Sequence, residues 1–393
     1  ATAPGRTSVE RGPWDEWVDS QAKLLPISIL PFTPVLPCES SASLLMDRFD
    51  WQVVPVSPFT WEKGCARLEN MPWKDRFRTK EAKTVWAAPH AIDRLLELAR
   101  EHLEPGDHGR VVLFSGTEMP MEAALGRDEA ERRATVARLR RYFSRILWQN
   151  KDLQMEHVEV APMGLSFGYT CHILHHFRKH GPGTQERWGE IFRGIFWHVL
   201  QVNLSAKTRG ILAVDSSVAK WLDSPHTLRQ LQEDIERDPL SPVYSGSKTN
   251  SSRKSVAAAW ESRARLRWWR AQPAAKEAGV ALARFGVVQW YFELASYRFL
   301  LSPMGSAVQT AKTIEALLVL TVPITQRMNY TTFDELVAIG FPIVVVDFWA
   351  HVTPATTERW WAHLSPRLES FRRNCLTNDG FWHMYTGQNR VCT

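Results

Sequence analysis

Hydrophobic spacing changes character along the chain. Between residues 25 and 60, short apolar runs are cut by Pro26, Pro31, Pro34, Pro37, Pro55 and Pro58, which predicts isolated strands and loops rather than helices. Residues 1–24 are polar and turn-rich and read as a loose arm. From 88 to 101, Ile92, Leu95, Leu96 and Leu98 recur with helical period. The polar turn Glu104-Pro105-Gly106-Asp107 comes next, then Val111-Val112-Leu113-Phe114, a continuous apolar run of the buried-strand type. Residues 126–148 read as one long helix of mixed charge, and Val158–Val160 as a strand closed by Pro162 and Gly164.

A second unit begins near 200. Residues 210–214 form a strand pattern, 237–254 a surface loop rich in Ser, Pro, Gly and Lys, and 256–270 a helix. From 289 to 373 the periods alternate. The pattern predicts helix 289–295, strand 297–301, turn 302–306, helix 308–320, strand 322–325, helix 333–339 ended by Gly340, and strand 343–347. A last helix starts with Thr353 as N-cap and Pro354 at its first position and runs to about 373. Such alternation predicts an α/β fold with parallel sheets covered by helices. The expected divisions are 1–24 (arm), 25–195 (N-terminal unit), 196–375 (C-terminal unit) and 376–393 (tail).

Composition narrows this further. With 393 residues, 44% hydrophobic and 23% charged, the chain is globular and long enough for two domains. The net charge of +6 suits an anionic ligand, but both signs are mixed along the chain, unlike a nucleic-acid-binding stripe. Eighteen Trp imply a large aromatic core or stacking surfaces. The five Cys form no Cys-x-x-Cys pair, which removes zinc-ribbon and thioredoxin chemistry; Cys375 and Cys392 are spaced to close a small loop. Sequons at Asn203, Asn250 and Asn329 lean toward a secretory lumen. No apolar run reaches the ~20 residues of a membrane span, so membrane attachment is expected only through an anchor upstream of Ala1.

The chemistry concentrates at 302–315. In open α/β sheets, ligands sit beyond the carboxyl ends of strands. There, Gly305 permits a tight turn, and the start of the next helix offers unpaired amides and partial positive charge to a phosphate. Gln309, Thr310 and Lys312 lie at that end, and Glu315, one turn on, is placed to accept from sugar or ribose hydroxyls. A phosphate site beside a hydroxyl acceptor describes a nucleotide sugar.

The run from Tyr297 to Pro323 (YRFLLSPMGSAVQTAKTIEALLVLTVP) resembles the C-terminal signature of the exostosin-like glycosyltransferases. That signature has a Phe-x-Leu-x-Pro-x-Gly strand and turn, a helix carrying Thr, a basic residue and Glu-Ala, and a Pro-containing strand. Pro342–Asp347 and the Trp349…Thr353-Pro354 helix start are similar to the family's next strand and helix, and Asp107-His108 before Val111–Gly116 resembles its N-terminal element. The resemblance implies two Rossmann-like domains facing a cleft (the GT-B arrangement), a nucleotide-sugar donor held by the C-terminal half, inversion at the sugar, and neither metal nor other cofactor. It also implies a glycan or glycoprotein acceptor and residence in the Golgi or secretory lumen. Lys312 stands where the family often carries Arg, and Met304 where it often carries a basic residue.

A general base is expected on the N-terminal half, Glu118 in the loop after 111–114 being the first choice and Asp107 the second. His172, His176 and His180 share a helical face at a spacing that suits zinc. Without the His-Glu-x-x-His pattern, a basic surface is the better reading. Arg263, Arg265, Arg267 and Arg270, interleaved with Trp268 and Trp269, read as a solvated face with buried Trp, or as a donor-phosphate contact. Trp360 and Trp361 are expected to pack the last helix onto the sheet or across the domains. The leading expectation is an inverting glycosyltransferase; a catalytically inactive glycan-binding scaffold and a basic nucleic-acid-binding protein stay open beside it.

Overall fold

A computed structural model describes residues 32–33, 45, 48–53, 76–77, 81–106, 108–116, 121–166, 197–214, 254–285, 289–305, 308–389 and 391–392. The fold is α/β and has two sheets built mainly of parallel strands. A pair of two-residue strands, β1 (Phe32–Thr33) and β8 (Leu165–Ser166), lies apart from them.

The first sheet contains β2 (Trp51–Val53), β3 (Arg76–Phe77), β4 (Thr84–Ala87), β5 (Val111–Phe114), β6 (Arg145–Trp148) and β7 (Val158–Val160), in the order β3-β2-β4-β5-β6-β7. Only the β2–β3 pair is antiparallel. Its helices are α1 (Ile92–His102), α2 (Met121–Leu125) and α3 (Glu129–Arg140). Strand β5 is buried on both faces, and its alternation divides two cores. Val112 and Phe114 pack with Leu95, Leu96 and Leu139 of α1 and α3, while Val111 and Leu113 turn to the larger core shared with the C-terminal half.

The long helix expected over 126–148 is instead α3 followed by strand β6. No Gly or Pro separates them. The chain turns because Tyr142 and Phe143 N–H both return to the Leu139 carbonyl, and Ser144 N–H passes to the Arg110 carbonyl at 2.9 Å. Ile146, Leu147 and Trp148 then enter the sheet fully buried.

The second sheet, all parallel, contains β9 (Arg209–Val214), β10 (Val280–Ala283), β11 (Tyr297–Leu301), β12 (Val322–Gln326) and β13 (Val344–Val346), ordered β10-β9-β11-β12-β13. Its helices are α4 (Lys254–Arg270), α5 (Pro273–Glu277), α6 (Gln289–Leu294), α7 (Ala311–Leu318), α8 (Thr332–Ala338) and α9 (Pro354–Asn374). Helix α9 carries the expected Thr353 cap, completed as a reciprocal capping box with Thr356. Trp361 meets Phe299 of β11 edge-on at 5.8 Å, the packing expected of it. Among the described residues no helix is long and apolar enough to cross a membrane.

Residues 376–393, expected as a tail, contain an ordered helix, α10 (Asn378–Thr386), that packs against the first sheet's side of the molecule. Trp382 and Tyr385 contact Phe49, the Tyr385 hydroxyl donates to the Pro162 carbonyl at 2.8 Å, and Arg145 of β6 donates to the Tyr385 carbonyl at 3.1 Å. The Cys375–Cys392 disulfide forms, and both cysteines are buried. The Cys392 N–H bonds to the Ile339 carbonyl, beside Gly340 at φ +105°, where an added Cβ would strike the Cys392 backbone. Closing a loop of 17 residues removes denatured-state freedom worth about 3 kcal/mol. Reduction is therefore expected to lower the melting temperature, and Cys375→Ala/Cys392→Ala to reproduce that loss and to abolish the effect of reductant.

Candidate functional site

Strand β11 ends at Leu301, and the chain crosses the carboxyl edge of the second sheet before entering α7. Ser302 N–H is tied to the Ile324 carbonyl at 2.8 Å, which keeps the crossing tight against β12. The Ser302 hydroxyl lies 3.3 Å from that of Thr310 and 3.4 Å from that of Thr313, forming a small hydroxyl cluster at the start of α7. Thr310 occupies the N-cap position in an extended conformation, but its side chain does not cap the helix. Helix α4 holds the turn from the other side. Arg263 Nε donates to the Met304 carbonyl at 2.9 Å, and Met304 N–H points to the Ser262 hydroxyl at 3.4 Å. Met304 itself is in the core, so its side chain cannot do the work of a basic residue there. Gly305 is partly buried on this turn.

Lys312 and Glu315 come next on α7. The Lys312 ammonium sits 5.9 Å from the centre of the Trp290 ring, and Trp290 Nε1 donates to Glu315 Oε2 at 2.8 Å. Glu315 is 1% exposed. Burial pushes its carboxyl up to about 7, against the opposing effects of the Trp290 hydrogen bond and the Lys312 charge. Lys312 is lowered, mainly by burial; Glu315 opposes that shift and Arg263 adds to it. The Lys312 ammonium thus lies between a carboxylate that favours its charge and a guanidinium that disfavours it, in a poorly solvated corner near the start of α7.

This corrects one expectation. Glu315 faces inward to the Trp290 indole rather than toward solvent, so in this conformation its carboxylate cannot accept from sugar hydroxyls without displacing that indole. Its immediate role here is to balance Lys312.

Gln309 is also not presented to a ligand. It is buried and plugs into the first sheet's carboxyl edge: Nε2 donates to the Gln149 and Ala161 carbonyls, and Oε1 accepts from Met163 N–H at 2.8 Å. Nearby, Lys151, 3% exposed as a side chain, pairs with Glu335 of α8 at 2.6 Å, and the Thr332 hydroxyl donates to the Lys151 carbonyl. The turn leading into α7 is therefore fastened to the other half of the molecule. Replacing Gln309 by glutamate would aim a carboxylate at two backbone carbonyls. The expected cost is about 2–4 kcal/mol, measurable as a lower urea midpoint.

No family model matches this sequence, and no curated protein matches it. The site therefore rests on its own geometry. Asp107 and Glu118, the expected bases, lie outside the described residues, as do the histidines at 172, 175, 176 and 180. On either side of the undescribed stretch 117–120, Ser115 accepts from Trp86 Nε1 at 2.9 Å at the end of β5, and Met121 N–H bonds to Asp152 at 2.7 Å. Among the described residues no group of three His, Cys, Asp or Glu is gathered to hold a metal ion. Sequence reasoning missed Trp290 altogether. Its signal was only an aromatic in the helix before β11, indistinguishable from core.

Proposed function

We propose that this protein is a glycosyltransferase that uses a nucleotide sugar, with two Rossmann-like halves meeting at their sheets' carboxyl edges in the GT-B manner. The observation that carries the reading is the strand–turn–helix from β11 to α7 at the carboxyl edge of the second sheet, with the Lys312 ammonium in the first turn of α7. A helix start and a cation together suit a diphosphate. The sugar-transfer part rests on the resemblance of residues 297–323 to the exostosin-like pattern. In this scheme Glu118, after β5, takes the proton of the acceptor hydroxyl. The freed oxygen forms a bond to the anomeric carbon from the face opposite the phosphate, the sugar–phosphate bond breaks, and Lys312 and Arg263 meet the charge of the leaving diphosphate.

The enclosure of Glu315 behind Trp290 favours a second reading, a glycan-binding protein of the same fold without transfer. One experiment addresses both. A thermal-shift screen against nucleoside diphosphates and their sugars, with turnover assays on any ligand that binds, is expected to give stabilisation and product. Stabilisation without product selects the scaffold. No shift with any nucleotide ends both the donor site and the transferase. The exposed sequon residues Asn203 and Asn329 and the disulfide support a lumenal setting. Glycosidase digestion of the protein secreted from cultured cells tests it, and unchanged gel mobility counts against it.

A further inference from the structure

Strand β6 runs off the carboxyl edge of the first sheet into Gln149, whose main chain is held twice. Its N–H donates to the Phe114 carbonyl at the end of β5 at 3.0 Å, and its carbonyl accepts from Gln309 Nε2, just ahead of α7. Gln149 therefore stands between the end of β5, which leads in sequence to Glu118, and the start of α7, which carries Lys312. Alternation along β6 sets the direction of its side chain. Leu147 belongs to the core shared with the C-terminal half, while Ile146 and Trp148 belong to the first sheet's own core. Gln149 follows Leu147 by two positions and turns to the C-terminal half as well. The residue is 5% exposed, and its Oε1 has no hydrogen-bond partner among the described residues. The polar groups around it are committed elsewhere. Gln309 spends Nε2 on the Gln149 and Ala161 carbonyls and Oε1 on Met163 N–H, and both carboxylate oxygens of Glu335 hold the Lys151 ammonium. A buried acceptor without a donor is costly, and native folds keep few of them.

We infer that Gln149 Oε1 accepts a hydrogen bond from a hydroxyl of the sugar that the donor nucleotide carries, and so helps decide which sugar is held. This rests on the nucleotide-sugar reading and adds to it a residue of the first sheet. With the diphosphate at the start of α7 and the acceptor hydroxyl at Glu118, the sugar ring lies between them, on the side to which β6 delivers Gln149. The chemistry of the group fits that ligand. An amide oxygen left without a donor selects a molecule rich in hydroxyls; a bare diphosphate has almost no proton to give. Being neutral, the amide takes that proton without setting a negative charge beside the phosphates. This is the contact that Glu315, turned to the Trp290 indole, does not make. Away from bulk water a single hydrogen bond of this kind discriminates more sharply than at the surface.

Calorimetric titrations of the whole chain with UDP, GDP, UDP-glucose and GDP-mannose test this, comparing the parent with Gln149→Met, a close apolar match in shape. The parent is expected to bind one sugar nucleotide more tightly than the corresponding diphosphate. Gln149→Met is expected to weaken that sugar nucleotide by about three- to tenfold, the worth of one hydrogen bond, and to leave the diphosphate within about twofold. The variant's melting temperature is expected to stay at or above the parent's, since Oε1 has no partner to lose and the main-chain bonds to Phe114 and Gln309 persist. Deoxy analogues of the bound sugar nucleotide give the same answer from the ligand's side: the parent loses affinity when one particular hydroxyl is removed, and Gln149→Met is indifferent to that removal. Equal loss of diphosphate and sugar nucleotide would put the base or the phosphates on Gln149. Unchanged affinity for both would leave it a structural residue. Either result overturns the inference while the donor site stands, whereas binding of none of the four probes by the parent overturns both together.

Discussion

Replacing Lys312 by methionine is expected to lower affinity for a nucleoside diphosphate by about 10–100-fold and to make the free protein less stable. The ammonium is the charge that opposes the upward shift of the buried Glu315 carboxyl. Removing one partner of such a pair leaves the other charge uncompensated, which costs stability. The lost phosphate contact is a hydrogen bond between charged groups, worth about 1.5–3 kcal/mol, which corresponds to that loss in affinity. Glu315, pushed up to about 7 in the parent, then loses the cation that holds it down and climbs further. Calorimetric titration with a nucleoside diphosphate and a thermal melt of the same variant check both signs. Unaltered affinity would place the phosphate away from α7.

The second large effect is a rise in stability with pH, governed by Lys207. Its side chain is 5% exposed beneath the second sheet, with Nζ 2.8 Å from the Thr321 hydroxyl. Burial, and then the charge of Arg372, lower it to about 6. In the unfolded chain the same amine holds its proton up to its ordinary value of 10.5. Between these values the unfolded state binds one more proton than the folded state, so stability increases with pH by at most about 1.4 kcal/mol per unit. Glu315 acts in the opposite sense at lower pH. Its raised value contributes stability that is complete below 4.5 and is lost as the pH passes about 7. From 7.5 to 9.5 the lowered Lys312 acts in the same sense as Lys207, so Lys207 is read from the difference between two slopes. Urea unfolding across this range is expected to show a positive slope in the parent and a shallower one in Lys207→Met. Thr321 survives the change satisfied, since its hydroxyl still has the Leu294 and Tyr297 carbonyls. Parallel slopes would show that Lys207 stays charged in the folded protein.

The strands that hydrophobic spacing revealed most plainly are those with few polar interruptions. Val111–Phe114 and Val344–Val346 have none, and Tyr297–Leu301 has only Arg298. Strand β6 was hidden because Arg-rich helical spacing runs up to it without a breaker, and the turn that separates them is held by the Ser144 N–H and hydroxyl, both donating to the Arg110 carbonyl 34 residues away. Strand β10, at the sheet edge, is a half-exposed Val-Ala-Leu-Ala with little pattern to see. Helix α10 begins Asn-Asp-Gly, which reads as a turn. Gly380 sits there because a Cβ would press on the Asn374 and Cys375 carbonyls at 2.5 Å, a constraint set by the preceding helix. At the site, Gly305, Lys312 and Glu315 were legible from a strand–turn–helix frame. The inward set of Glu315 was not, since it depends on an indole 25 positions earlier. Nor was the use of Gln309, whose partners are main-chain atoms about 150 residues upstream.

Helix α10 has a consequence for how the molecule is made. Arg145 and the Tyr385 carbonyl it holds are 240 positions apart, so the inner side of the first sheet stays uncovered while most of the polypeptide is being translated. Val111, Leu113 and Leu147 then wait for the later residues of the shared core, and the early half carries an apolar surface until those residues leave the ribosome.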